Sequence, residues 1–157
     1  VIGTLKEIID RLLAPERGQP PEVREEAIRL ATAVLLVETA RADHSEKMVE
    51  SAVIFAQLQQ HFGLPAEEAE ELMALAEKEL KDAVSLQRFT RQLHESLAEA
   101  EKLAIIEMLW RVAFADNELH QREESLVRKV SGLLYVREAD TLRLRNRVRD
   151  EAIGSGE

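Results

Sequence analysis

Between Ala27 and Val37 the chain reads AIRLATAVLLV, apolar at every position except Arg29 and Thr32. A helix of that composition has no face to give to water, so other elements must wrap it on all sides. The run falls far short of the roughly 18–20 residues needed to span a bilayer, which makes it the expected centre of a water-soluble fold. A second stretch repeats the pattern from Leu103 to Ala115, broken only by Glu107 and Arg111. Two such helices leave the remaining segments one role, that of surrounding them. The rest of the composition agrees. Six Gly and four Pro leave little punctuation, aromatic residues are only 4%, and the apolar mass is Leu, Ala, Ile and Val. That mix reads as all-α.

The 157 residues suit one domain able to bury its own core. Absence of cysteine removes disulfides, thiolate zinc sites, iron–sulfur clusters and cysteine nucleophiles together. The net charge of −9 disfavours nucleic acid as a partner, because phosphate recognition needs a cationic footprint. The opening VIGTLKEIIDRLL carries charges that argue against a secretory signal, so the cytoplasm is the expected address.

Apolar periodicity and punctuation mark eight helices. The first, Thr4 to Ala14, carries Leu5, Ile8, Ile9, Leu12 and Leu13 and stops at Pro15. Pro21 suits the first turn of a long helix running to about Arg41. A third runs from about Glu46 to Phe62, with Gly63 as its left-handed terminator. Pro65 opens a fourth to about Asp82, whose acidic first turn (Glu67, Glu68, Glu70, Glu71) complements the helix dipole. Ser85 to His94 is a short fifth. Ser96 and Glu99 form a capping box for a sixth, running to about Ala115. Gln121 to Leu134 and Glu138 to Glu151 complete the set, and a tail over 152–157 is expected to fray.

The two all-apolar helices are related. Shifting the sequence by 73 residues lays 30–50 over 103–123 and matches Leu30 with Leu103, Ala31 with Ala104 and Leu36 with Leu109. It also matches Ala40 with Ala113, Ala42 with Ala115, Asp43 with Asp116 and Glu50 with Glu123. Ala and Leu matches are cheap in such helices, so Asp and Glu carry the signal of a duplicated helix–loop–helix unit. The pseudo-repeats span about 28–72 and 101–144. In each, a buried helix ends in Ala-Asp, a short polar loop follows, and a Glu stands seven positions after the Asp. The residue after the Asp is His44 in one copy and Asn117 in the other, types that tolerate the left-handed backbone a sharp helix exit requires.

The segments ARADHSEKMVE and, more specifically, LWRVAFADNELHQREESLVRKVSGLLYV resemble the tellurite-resistance protein B (TerB-like) family. The resemblance covers roughly residues 28–151. It implies an all-helical fold of pseudo-repeated helical pairs, an association with bacterial tellurite and chemical-stress resistance, and acidic motifs suggested to bind divalent metal. The family motif usually has Gly after the Asp, and this chain departs from it at His44 and Asn117. In the first copy Lys47 also stands where the second has His120, so the second loop is the better candidate.

The candidate metal ligands are therefore Asp116, Glu123, Asp43, Glu50 and His120. Two carboxylates with loop carbonyls and waters suit a weak site for a hard cation, Ca²⁺ or Mg²⁺ before Zn²⁺. The same residues at the same spacing also serve as turn and cap residues without any ion. His61 is expected to face the carbonyl end of its helix, and His94 has no partner legible in the sequence. Trp110 and Phe114, four apart, are expected in the core. The last helix is basic, with Arg137, Arg143, Arg145, Arg147 and Arg149 against Glu138 and Asp140. Arginines two apart spread around a helix, so pairing with acidic neighbours is expected. An anionic membrane surface is the alternative, through Arg143, Arg145, Arg147 and Arg149 alone.

No nucleophile elbow, P-loop, dinucleotide fingerprint or HExxH is present, and no Glu stands three residues before a His as a di-iron bundle requires. The expectation is a single all-α domain, a bundle of seven to eight helices around a duplicated helix–loop–helix unit. It would act as a non-enzymatic interaction domain with a protein partner, no nucleic acid, and a weak divalent-cation site. The alternative is a metal-dependent hydrolytic or redox enzyme.

Overall fold

Pro21 begins a helix, α1, that runs unbroken to Arg41 and occupies the middle of the molecule. The computed structural model describes residues 21–42, 48–81 and 86–155. The expected helix over Thr4–Ala14 lies outside those residues. Along α1 every residue from Ala27 to Ala40 is buried except Arg29 and Glu38. Its two buried threonines keep their hydroxyls satisfied inside the helix. Thr32 Oγ1 donates to the Ile28 carbonyl and Thr39 Oγ1 to the Leu35 carbonyl, each at 2.8 Å.

Six further helices follow: α2 (Met48–Phe62), α3 (Ala66–Lys81), α4 (Leu86–Ser96), α5 (Glu99–Ala113), α6 (Gln121–Leu133) and α7 (Glu138–Ser155). No strand occurs among the described residues, so the all-α expectation holds. No helix among them is long and apolar enough to cross a membrane. The buried apolar residues form one continuous core, with α1 and α5 at its centre.

The duplication extends beyond two helices. In the first unit α1 packs on α2 and α3, and α2 on α3; in the second α5 packs on α6 and α7, and α6 on α7. The units also meet each other, α1 against α5, α2 against α5 and α1 against α6. Gln57 of α2 adds a polar tie, its Nε2 donating to the Met108 carbonyl of α5 at 3.0 Å. The helix α4 joins the units and packs on α1 and α6.

The second helix of each unit ends in the same way. After α2, Gly63 has φ +65° and the Leu64 amide donates to the Gln59 carbonyl at 3.1 Å. After α6, Tyr135 has φ +60° and the Val136 amide donates to the Ser131 carbonyl at 3.0 Å. Both are Schellman-type endings with a buried apolar residue just beyond. Gly63 therefore terminates its helix as expected, whereas tyrosine in that conformation is a strained choice.

Three expectations need correction. The cap of α5 is not Ser96 with Glu99. Ser96 closes α4, where its Oγ accepts from Gln92 Nε2 at 2.9 Å. Ala98 is the N-cap, and Glu101 reaches back to accept its amide at 3.0 Å. The helix thus gains the reciprocal half of a capping box without a capping hydroxyl. Its last helical residue is Ala113, two earlier than expected, because Phe114 caps it and the chain turns. The last helix continues past Glu151 to Ser155, where Glu151 pairs with Arg111 of α5 at 2.9 Å and holds its final turns.

The basic last helix is docked, with Leu144 and Val148 in the core. Its arginines meet carboxylates: Arg137 and Arg143 on Asp140, Arg145 on Glu124, Arg147 on Glu107 and Arg149 on Asp150. The four glutamates that open α3, Glu67, Glu68, Glu70 and Glu71, are exposed as a solvated first turn.

Candidate metal centre

The link from α5 to α6 is built by hydrogen bonds in quick succession. The Phe114 amide donates to the Trp110 carbonyl, Ala115 to Val112 and Asn117 to Phe114, which closes the exit in one tight turn. That turn requires a left-handed residue, and Asn117 supplies it at φ +64°. The carboxylate of Asp116 then accepts the Glu118 amide on Oδ1 at 3.1 Å, an Asx-type turn that fixes its orientation. His120 follows in extended conformation as the N-cap of α6, and its carbonyl accepts the Glu124 amide.

This geometry brings Asp116, Glu118 and His120 together, each offering a ligand atom within 4.8 Å of the others. Asp116 Oδ2 lies 3.5 Å from His120 Nε2. Of the residues marked in sequence, Asp116 and His120 therefore meet. Glu118 joins them although the repeat gave it no signal, because it stands opposite Ser45 in the other copy. Alternation of Asp, Glu and His through DNELH is the trace it leaves in the sequence.

Glu123 takes a different position. It is the third residue of α6, in an acidic first turn, and its side chain is wholly buried at 0% exposure. Glu50, its counterpart, sits in the first turn of α2 and is likewise buried. The duplicated glutamates thus share burial at equivalent helix starts. Glu124, the next residue, turns outward to the Arg145 guanidinium at 2.6 Å. Asp43, with the rest of residues 43–47, lies outside the described residues.

The donor set can be tested against an ion by its chemistry. Two carboxylates and an imidazole within one five-residue loop fit a small divalent cation, with open positions left for water. An imidazole ligand suits Zn²⁺ better than the hard cations Ca²⁺ and Mg²⁺, which favour all-oxygen shells. Glu118 is exposed, whereas Asp116 and His120 are partly buried.

A family model described as tellurite resistance protein TerB matches residues 29–146, from the start of the buried part of α1 into α7. No curated protein and no solved structure matches the chain.

Proposed function

The chain belongs to the TerB family, named for tellurite resistance, and from that premise we propose that it is a non-enzymatic interaction domain of bacterial chemical-stress resistance. Its α5–α6 loop takes a divalent cation weakly and presents the result to a protein partner. The observation that carries this reading is the meeting of Asp116, Glu118 and His120 within 4.8 Å on one loop. Those three residues would hold the ion, whose chemistry there is charge neutralisation and cross-linking of the loop. The chain does the rest. Asn117 and the Asx turn pre-set the loop, and the N-cap position of His120 ties it to α6, which packs on both α5 and α7. A change in the loop's stiffness is thereby passed to the face around it.

With so few carboxylates the dissociation constant should be on the order of 10⁻⁴–10⁻³ M. Zn²⁺, Ca²⁺ and Mg²⁺ titrations followed by amide NMR shifts test it. Saturable shifts confined to residues 116–123, strongest for Zn²⁺ and lost in H120A and D116N, support the reading. No saturable shift up to roughly ten times that range of concentration would end the metal claim. Turnover of phosphoester or redox substrates by the loaded protein would replace the interaction domain with the enzyme alternative.

A further inference from the structure

At the far end of α6 from the acidic loop, a hollow of about 350 Å³ opens between α4 and the α6–α7 turn. The 13 residues of α6 put the two about 20 Å apart. Arg91, His94, Glu95, Leu133 and Tyr135 line it, with Thr90 and Gln87 at its side. Tyr135 is 73% exposed and holds the left-handed conformation that the equivalent turn gives to Gly63. A bulky aromatic kept at a strained, solvent-facing position has no packing reason to be there, and such outliers gather at binding sites. One face of its ring leans on His94, with centroids 4.5 Å apart, and the rest faces outward.

His94 is itself held. Lys102, only 6% exposed, donates from its ammonium to His94 Nδ1 at 2.6 Å. That contact holds the imidazole in place behind Tyr135. Arg91 and Glu95 stand one turn apart on the same face of α4. Yet among the described residues neither has an ion-pair partner, each other included. The hollow therefore offers one uncommitted cation and one uncommitted anion side by side. Glu95 lies in the last turn of α4 and Leu133 ends α6, so carbonyl ends of two helices add to the negative side.

We propose that this hollow binds a small zwitterion with an apolar or aromatic side chain, the chemistry of a free α-amino acid. Arg91 takes the carboxylate. Glu95 and the nearby helix ends take the ammonium. Tyr135 and Leu133 receive the side chain, with Tyr135 leaning at a tilt of 41° against the His94 ring that Lys102 holds. The site is separate from the acidic loop and stands whether or not an ion binds there.

The test is NMR titration of the full chain with L-phenylalanine, read at the His94 and Tyr135 ring signals. Phenylalaninamide lacks the carboxylate, 3-phenylpropionate lacks the ammonium, and alanine lacks the ring. Phenylalanine should give saturable shifts, and each analogue should bind roughly tenfold or more weakly, as one lost specific contact implies. R91A and E95Q should each weaken phenylalanine by a similar factor. Y135G should abolish binding while leaving the melting midpoint equal or higher, since glycine relieves the backbone. Absence of saturable shifts with phenylalanine overturns the proposal. Equal binding of 3-phenylpropionate, or undiminished binding by Y135G, overturns it as well.

Discussion

The indole Nε1 of Trp110, in the last turn of α5, donates to the backbone carbonyl of Thr141, in the first turn of α7, at 3.0 Å. Both residues are buried, and the bond fixes the last helix to the centre of the core. The Thr141 hydroxyl meets Ser131 of α6 and also donates to the Arg137 carbonyl at 3.2 Å, so three helices converge at this point. W110A should lose about 3–5 kcal/mol of stability through the cavity it leaves. W110F keeps most of the volume, loses the indole hydrogen bond and leaves the Thr141 carbonyl its helical partner within α7, and should lose about 0.5–1.5 kcal/mol beyond the repacking cost. Denaturant unfolding measures both. Tryptophan emission in the native protein should be well to the blue of its unfolded position; coincidence of the two would contradict the burial.

Removal of residues 138–157 should lower the unfolding midpoint by roughly 8–16 °C or more. It strips Leu144 and Val148 from the core and leaves the Trp110 donor without its acceptor. A core loss of about 4 kcal/mol or more shifts a domain of this size by several degrees per kcal/mol. An unchanged midpoint would mean that α7 is not an integral part of the fold.

Glu107 is shared by Arg111 of its own helix and Arg147 of α7. It is about three-quarters buried while both arginines are largely exposed, so solvent screening keeps the pairing modest. E107Q should cost about 1 kcal/mol at low salt. The cost should shrink in 1 M salt, where the Debye length is about 3 Å. A cost independent of salt would show that the side chain acts through packing alone.

Asn117 at φ +64° predicts an ordered series. N117G should be neutral or slightly stabilising. N117A should cost about 1 kcal/mol, because alanine has no local hydrogen bond to offset the left-handed backbone. Equal stability of the two variants would place the strain elsewhere.

Much of this fold could be read from the residues. Pro21 and the all-apolar run to Val37 set α1 to its observed ends, because proline at a first turn and a breakdown of the apolar pattern at Arg41 leave no competing register. The cap of α5 could not be read so easily. Ser96 with Glu99 offers both halves of a capping box and Ala98 with Glu101 only the carboxylate half, so the residues alone favour the pair that the structure does not use. The acidic loop was half legible: a repeat search finds what two copies share, and Glu118 is not shared. Tyr135 was hidden by arithmetic. The shift of 73 that aligns Glu50 with Glu123 sets Tyr135 against Phe62, whereas the turns align Tyr135 with Gly63, one residue away. His94 had no visible partner because Lys102 and Tyr135 reach it only through the packing of α4 against the second unit.

The contacts between the two units are reciprocal: α1 meets its own counterpart α5, while α2 reaches α5 and α6 reaches α1. That is the pattern of a two-fold homodimer, in which one surface patch binds itself and every cross-contact occurs twice. Here the two subunits are one chain, fused through α4. A fused dimer escapes the rule that each half must stay identical to the other. One half is free to keep glycine at its turn while the other carries an exposed tyrosine at the same place. One loop is equally free to gather Asp, Glu and His while its counterpart carries Lys47 where His120 stands. Asymmetry of this kind lets a symmetric scaffold acquire single sites instead of pairs.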